Sequence, residues 1–180
     1  MNYSELVKIP APGTINTKFS PARIQTQYAI FGKPGKLTSE CNEARAPKKV
    51  RALLETRDVG PFRLRGIGPW LDVCQKVYAE VKQDHPELYE QLVTAGCFCA
   101  RLVRGSNMTP SNHTFGTATD HGVLMIDRRG DGKCQRGMLV LYGYFKKHGA
   151  FWGAGFRVED AMHFEASDEL LREWQRAGRL

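Results

Sequence analysis

The chain has 180 residues, a formal net charge of +7, 42% hydrophobic and 25% charged residues. These values suit a single globular domain with a core of its own and an appended arm, and no apolar run approaches the ~20 residues that a membrane span requires. The positive charge favours polyanions such as nucleic acid, anionic lipid or a phosphate-bearing wall polymer, but it is mixed with acidic residues along the chain, and its densest group is Arg45, Lys48, Lys49 and Arg51.

The opening residues MNYSELVKIPAPG lack a basic start followed by an apolar stretch, so no secretory signal is expected. Residues 1–48 carry Pro10, Pro12, Pro21, Pro34 and Pro47 with scattered glycines, and predict an extended N-terminal arm packed on the domain formed by residues 49–180. ALLETRDVG and PFRLRG predict two short strands broken at Gly60-Pro61. From Gly68 the apolar residues Trp70, Leu71, Cys74, Val77, Tyr78 and Val81 recur at helical intervals, and His85-Pro86 ends that helix. PELYEQLVTAG predicts a second helix, with Pro86 in its first turn and Gly96 past its end.

CFCARLVR predicts a buried strand, SNHTFGTATD a loop, GVLMID another strand and RRGDGK a turn. IDRRGDGK resembles the start of a calcium loop, but Arg129 and Met138 stand where ligands are needed. RGMLVLYGYFKKHG predicts a helix, MHFEA a short strand, and SDELLREWQRAG a closing helix capped by Ser167. The order predicts an α+β fold. Of the five cysteines none forms a CxxC pair, so neither a disulfide frame nor a cysteine metal site is expected; Cys97 and Cys99 read as core residues of a reducing compartment.

Two segments carry chemistry. A catalytic zinc takes three protein ligands and leaves a position open for water. His113 and Asp120 supply two if their loop folds back, which Gly116 permits, and His163, between Met162 and Phe164, is the third. A base is then required, and Asp160, three residues before His163, stands in place, with Glu159 and Glu165 as competitors. His121 follows Asp120 directly, so on a strand the two point to opposite faces.

Ser111, His113, Gly116, Ala118 and Asp120 fill S-x-H-x-x-G-x-A-x-D, and Asp160 to His163 fill D-x-x-H followed by an aromatic. Over about Cys97 to Glu165 the chain resembles the zinc D-alanyl-D-alanine carboxypeptidases and L-alanyl-D-glutamate endopeptidases, a family that includes VanY-like enzymes and phage endolysin-type peptidases. The resemblance implies a single compact α+β domain with a small antiparallel sheet flanked by helices, similar to hedgehog-type and D,D-peptidase domains. It implies one zinc on His113, Asp120 and His163, with Asp160 as general base and acid. An upstream arginine would stabilise the oxyanion, Arg104 first and Arg101 second, only one of which can face the metal if the strand is regular. Ser111 would contact substrate or a ligand, and Trp152 would wall the cleft or pack in the core.

The implied function is hydrolysis of a peptide bond in peptidoglycan stem peptides, either D-Ala removal or L-Ala–D-Glu cleavage; a zinc-holding module without turnover is the alternative. The implied setting is a monomer made in the cytoplasm that acts at the cell wall after release or export. No RNP, helix-turn-helix or zinc-finger pattern supports nucleic-acid binding.

Overall fold

In the computed structural model, which describes residues 1–126 and 130–180, the chain folds as one α+β unit. Strand β1 (Leu6–Lys8) and helix α1 (Ile24–Phe31) lie in the N-terminal segment; α1 is a helix within what the proline pattern predicts as an extended arm. Helix α2 (Lys48–Leu53) leads into the antiparallel hairpin β2 (Leu54–Asp58) and β3 (Arg63–Ile67), as the break at Gly60-Pro61 predicts. Helix α3 (Gly68–Asp84) follows, with Pro69 in its first turn, and buries the predicted stripe of Trp70, Leu71, Cys74, Val77, Tyr78 and Val81.

Helix α4 is shorter than predicted. It covers Pro86–Gln91, and LVTAG leaves it as strand β4 (Leu92–Gly96), which pairs antiparallel with β5 (Ala118–Val123). The adjacent β-branched Val93 and Thr94 suit a pleated strand, and the ladder to β5 satisfies backbone groups that a longer helix would have paired internally. CFCARLVR is not a strand. Its N–H groups reach three separate segments: Phe98 to the Arg65 carbonyl at 3.0 Å, Cys99 to His113 at 3.1 Å and Leu102 to Thr38 at 2.8 Å. With no single neighbour offering a row of partners, no ladder forms.

Part of the predicted loop is strand, since β5 begins at Ala118 and includes Asp120. GVLMID is divided between β5 and β6 (Met125–Ile126) by Leu124, which has φ 62°. The predicted turn at RRGDGK and the rejected calcium loop fall partly on Asp127, Arg128 and Arg129, outside the described residues. Strand β7 (Lys133–Gln135) pairs with β1, and helix α5 (Arg136–Lys147), strands β8 (Ala150–Trp152) and β9 (His163–Ala166), and helix α6 (Asp168–Arg176) complete the chain. Ser167 caps α6 by accepting the Leu170 N–H at 3.1 Å, and Gly178 follows its end at φ 66°.

The main sheet is antiparallel, in the order β4-β5-β9-β8 with β6 also on β5. Side chains alternate across it, so one face of β5 and β9 carries Thr119, His121, Phe164 and Ala166, and the other Ala118, Asp120, His163 and Glu165. The first face packs on α3 and α5. Trp70 stacks on Phe145 with centroids 5.7 Å apart, Phe145 on Phe164 at 4.6 Å, and Trp152 on Phe164 at 6.0 Å. Complete burial of aromatics of this size contributes roughly 1.5–3 kcal/mol each. The Trp70 indole N–H also donates to Thr119 Oγ1 at 2.7 Å, and the Tyr78 hydroxyl donates to His121 Nε2. Burial lowers the pKa of His121 to about 3, so this ring is neutral and belongs to the core, on the face away from Asp120 as the alternation predicts.

The second face is covered by the N-terminal segment and the 3-10 turn Asn112–Phe115, with Phe115 against Phe31 at 5.8 Å and Tyr28 at 6.4 Å. Cys41 and Cys99 form a disulfide, their Cα atoms 5.1 Å apart, contrary to the expectation that no cysteines pair. The two lie 58 residues apart in sequence, so nothing local announces the bridge. In the chain-entropy account a loop of that length contributes roughly 4 kcal/mol of stability. It also removes the argument for a reducing compartment. Cys74, Cys97 and Cys134 are buried and lie outside this disulfide. Among the described residues no helix is long and apolar enough to cross a membrane.

Candidate metal centre

Two local devices bring the distant motifs together. The first is the turn Asn112–Phe115, ended by Gly116 in the left-handed conformation at φ 66° and ψ 27°, which reverses the chain so that His113 faces back over Asp120. A Cβ on Gly116 would stand 3.1 Å from the Ile67 backbone nitrogen, so the position requires both the torsion and the missing side chain. The second is the register of β5 and β9, which sets Asp120 directly opposite His163. Cross-strand neighbours have Cβ atoms about 4.5–5.5 Å apart, close enough to share one ligand.

His113, Asp120 and His163 are all buried, and one donor atom from each lies within 4.8 Å of the others. His113 Nε2 is 3.2 Å and His163 Nδ1 3.0 Å from the same Asp120 Oδ1. Each ring's remaining nitrogen has an acceptor: His113 Nδ1 donates to the Cys97 carbonyl at 2.6 Å, and His163 Nε2 donates to Glu165 Oε2 at 2.8 Å. These outer bonds orient both rings so that His113 Nε2 and His163 Nδ1 converge on the carboxylate, the nitrogens that would be free to bind a metal once it replaced their protons.

The electrostatics favour a cation at this point. Burial alone would lower the pKa of His163, but bonds to Asp120 and Glu165 outweigh it and raise the value to about 10. Burial would raise Asp120, yet His113 and His163 hold it far below the usual carboxylate range. A buried group that stabilises a proton so strongly stabilises a metal cation by the same charges. The donor set of two imidazoles and one carboxylate fits zinc, and is one of the sets that leave a position for water.

The cluster opens on a cavity of about 600 Å³ that is also lined by Arg101, Arg104, Ser111, Asp160 and Glu165. Asp160 is buried, and its carbonyl accepts the His163 N–H at 3.0 Å, so candidate base and ligand lie on one tight turn. That turn sits against Gly153, whose carbonyl accepts the Asp160 N–H at 3.0 Å. A Cβ on Gly153 would lie 2.6 Å from the Asp160 carbonyl oxygen and 2.9 Å from His163 Cβ, so only glycine allows this approach. Of the competing carboxylates, Glu159 accepts the Gly132 N–H and lies away from this cavity, whereas Glu165 is wholly enclosed beneath His163.

Two expectations change. Arg101 and Arg104 do not exclude each other, because the segment that bears them is irregular and both line the cavity. Arg101 is held by its own fold, with Nη1 donating to the Leu102 carbonyl at 2.9 Å and its backbone bonded to Ser111 and Thr114, while Arg104 is exposed. Trp152 does not wall the cleft; it is fully buried, stacks on Tyr142 at 4.9 Å, and donates from its indole to the Ala161 carbonyl at 2.7 Å. It steadies the Asp160–His163 turn from behind. The residues missed by sequence reasoning are Asn112 and Ala22, which donate to Glu165, and Gln27, which donates to Asn112; only the tertiary fold brings them there.

The histidines and carboxylates converge beside an open cavity as a group able to hold a metal ion. Residues 104–166 match the family model described as D-alanyl-D-alanine carboxypeptidase, which bears out the family resemblance carried by the two motifs. The match supports a peptidase acting on peptidoglycan, contains all three candidate ligands and Asp160, and leaves the N-terminal segment outside it. No curated protein matches the chain.

Proposed function

We propose that the protein is a zinc-dependent peptidase that hydrolyses a peptide bond in the stem peptides of bacterial peptidoglycan. The observation that carries this reading is the meeting of His113, Asp120 and His163 at the floor of the cavity that also takes in Asp160. His113 through Nε2, Asp120 through its carboxylate and His163 through Nδ1 would hold the ion. When bound, zinc supplies Lewis-acid activation of a water and of the scissile carbonyl. Asp160 accepts the proton of the attacking water and returns it to the leaving amine. A guanidinium from Arg104, with Arg101 beside it, offers a planar fork to the developing oxyanion or to a substrate carboxylate. Ser111, on the cavity wall, contacts substrate or steadies His113. Residues 49–180 form the peptidase domain and 1–48 its arm, and the protein works as a monomer at the cell wall, where its positive charge suits an anionic polymer.

The reading is tested by digesting purified sacculi and weighing the products by mass spectrometry. Loss of a terminal D-Ala identifies a carboxypeptidase and release of fragments cut between L-Ala and D-Glu an endopeptidase; intact sacculi with zinc-loaded protein would overturn the peptidase reading.

The two arginines give a second expected result. Removing one oxyanion donor costs about a hundred- to a thousandfold in turnover, so Arg104→Ala is expected to fall in that range with zinc content unchanged. Arg104→Lys is expected to recover only part, since a point charge cannot reproduce the fork. Steady-state kinetics decides: near-normal turnover in Arg104→Ala together with collapse in Arg101→Ala moves the role to Arg101.

A further inference from the structure

We propose that Glu165 is a positioning residue of the metal centre, and that the N-terminal segment holds it in place through Ala22 and Gln27. The inference rests on the reading of His113, Asp120 and His163 as metal ligands, and it extends to Ala22 and Gln27, which lie outside the matched family segment.

Glu165 lies two residues after His163 on the same face of β9, and its side chain is entirely buried. A buried carboxylate is tolerated only where hydrogen bonds replace water. Three donors do so: His163 Nε2 at 2.8 Å and the Asn112 side-chain amide both reach Oε2, and the Ala22 N–H reaches Oε1 at 2.9 Å. With Oε2 accepting from His163 Nε2, the ring is held so that Nδ1 is the nitrogen that faces Asp120. Both of its oxygens are thus engaged by the protein.

Asn112 is in turn oriented from the arm. Its Oδ1 accepts from Gln27 Nε2 at 2.6 Å, which directs its amide N–H toward Glu165. Gln27, on α1, is fully buried, and its amide also reaches the Ala22 carbonyl at 3.2 Å. A continuous relay therefore runs from α1 through Asn112 and Glu165 to one ligand. His113 is steadied differently, by the Cys97 carbonyl, so loss of the relay disturbs one ligand of the three.

The test measures zinc affinity by competition with a chromophoric chelator, together with the absorption spectrum of the cobalt-substituted protein, which reports ligand geometry. Glu165→Gln is expected to weaken zinc binding about 10–100-fold and to change the cobalt spectrum, the usual cost of removing an outer partner of a ligating histidine. Gln27→Met keeps the side chain's length but removes its donor, and is expected to weaken zinc in the same direction by less. Thr26→Val, the neighbouring residue on α1, whose hydroxyl accepts from Arg172 at 2.8 Å, is expected to leave affinity and spectrum unchanged.

Unchanged zinc affinity and cobalt spectrum in Glu165→Gln overturn the proposal. If that variant does not fold, unchanged affinity in Gln27→Met overturns it equally. Weakening in Thr26→Val as large as in Gln27→Met would replace the relay with a general effect of arm docking. Wild-type protein that binds no zinc would instead overturn the metal reading itself, an outcome distinct from all of these.

Discussion

Asp160→Asn is expected to lower turnover by about a hundred- to ten-thousandfold, the usual contribution of general acid–base catalysis, while the protein stays folded and keeps its zinc. The amide has the size and shape of the carboxyl group but cannot accept the proton of an attacking water. The contacts that shape the turn are made by the backbone: the Asp160 N–H donates to Gly153, and its carbonyl accepts from His163. Both survive the substitution, so His163 stays in register with Asp120. Zinc content by atomic absorption and turnover on purified sacculi separate the two effects. Wild-type turnover in Asp160→Asn would show that another group takes the proton, and zinc loss in the same variant would show that Asp160 is a ligand.

His163→Ala and His113→Ala are each expected to reduce bound zinc from close to one ion to almost none, and to abolish turnover with it. Each removes one donor from a three-donor site, and two protein ligands fall short of the three that a catalytic zinc site takes. The damage differs between them. His163→Ala leaves Asp120 and Glu165 facing each other across a void, two buried carboxylates stripped of the ring that lies between them. His113→Ala removes a donor from the Cys97 carbonyl and one of the two rings beside Asp120, which still keeps His163. The first variant is therefore the less stable, which thermal unfolding measures, while zinc content is low in both. Unchanged zinc content in both variants would place the metal elsewhere or remove it from the protein.

Features that depend on neighbours within about one turn or one strand are legible in the residues. The stripe Trp70–Val81 names the buried face of α3, the break at Gly60-Pro61 names the hairpin, and Ser167 names the start of α6. The spacing of His113, Gly116 and Asp120 likewise encodes its own geometry, since a short turn ended by a left-handed glycine returns the chain onto the next strand. Where local preference and long-range pairing conflict, the pairing prevails. LVTAG has a helix before it and a helix-like apolar pattern, yet it becomes β4 because β5 offers a ladder. CFCARLVR has strand-like composition, yet no strand lies beside it along its length.

By itself, the sequence determined the α+β class, most helices and the separation of His121 from Asp120, because each follows from periodicity, while the two candidate metal-binding motifs were legible through their resemblance to a family. Only the tertiary structure decided that Asp120 stands opposite His163, that both arginines line one cavity, that Trp152 is core and that Cys41 pairs with Cys99. It alone also placed Ala22 and Gln27 against the support of His163. These are contacts between residues tens of positions apart, set by sheet register and by the packing of the N-terminal segment over the sheet. No local pattern encodes them, because they arise from burying that face as a whole.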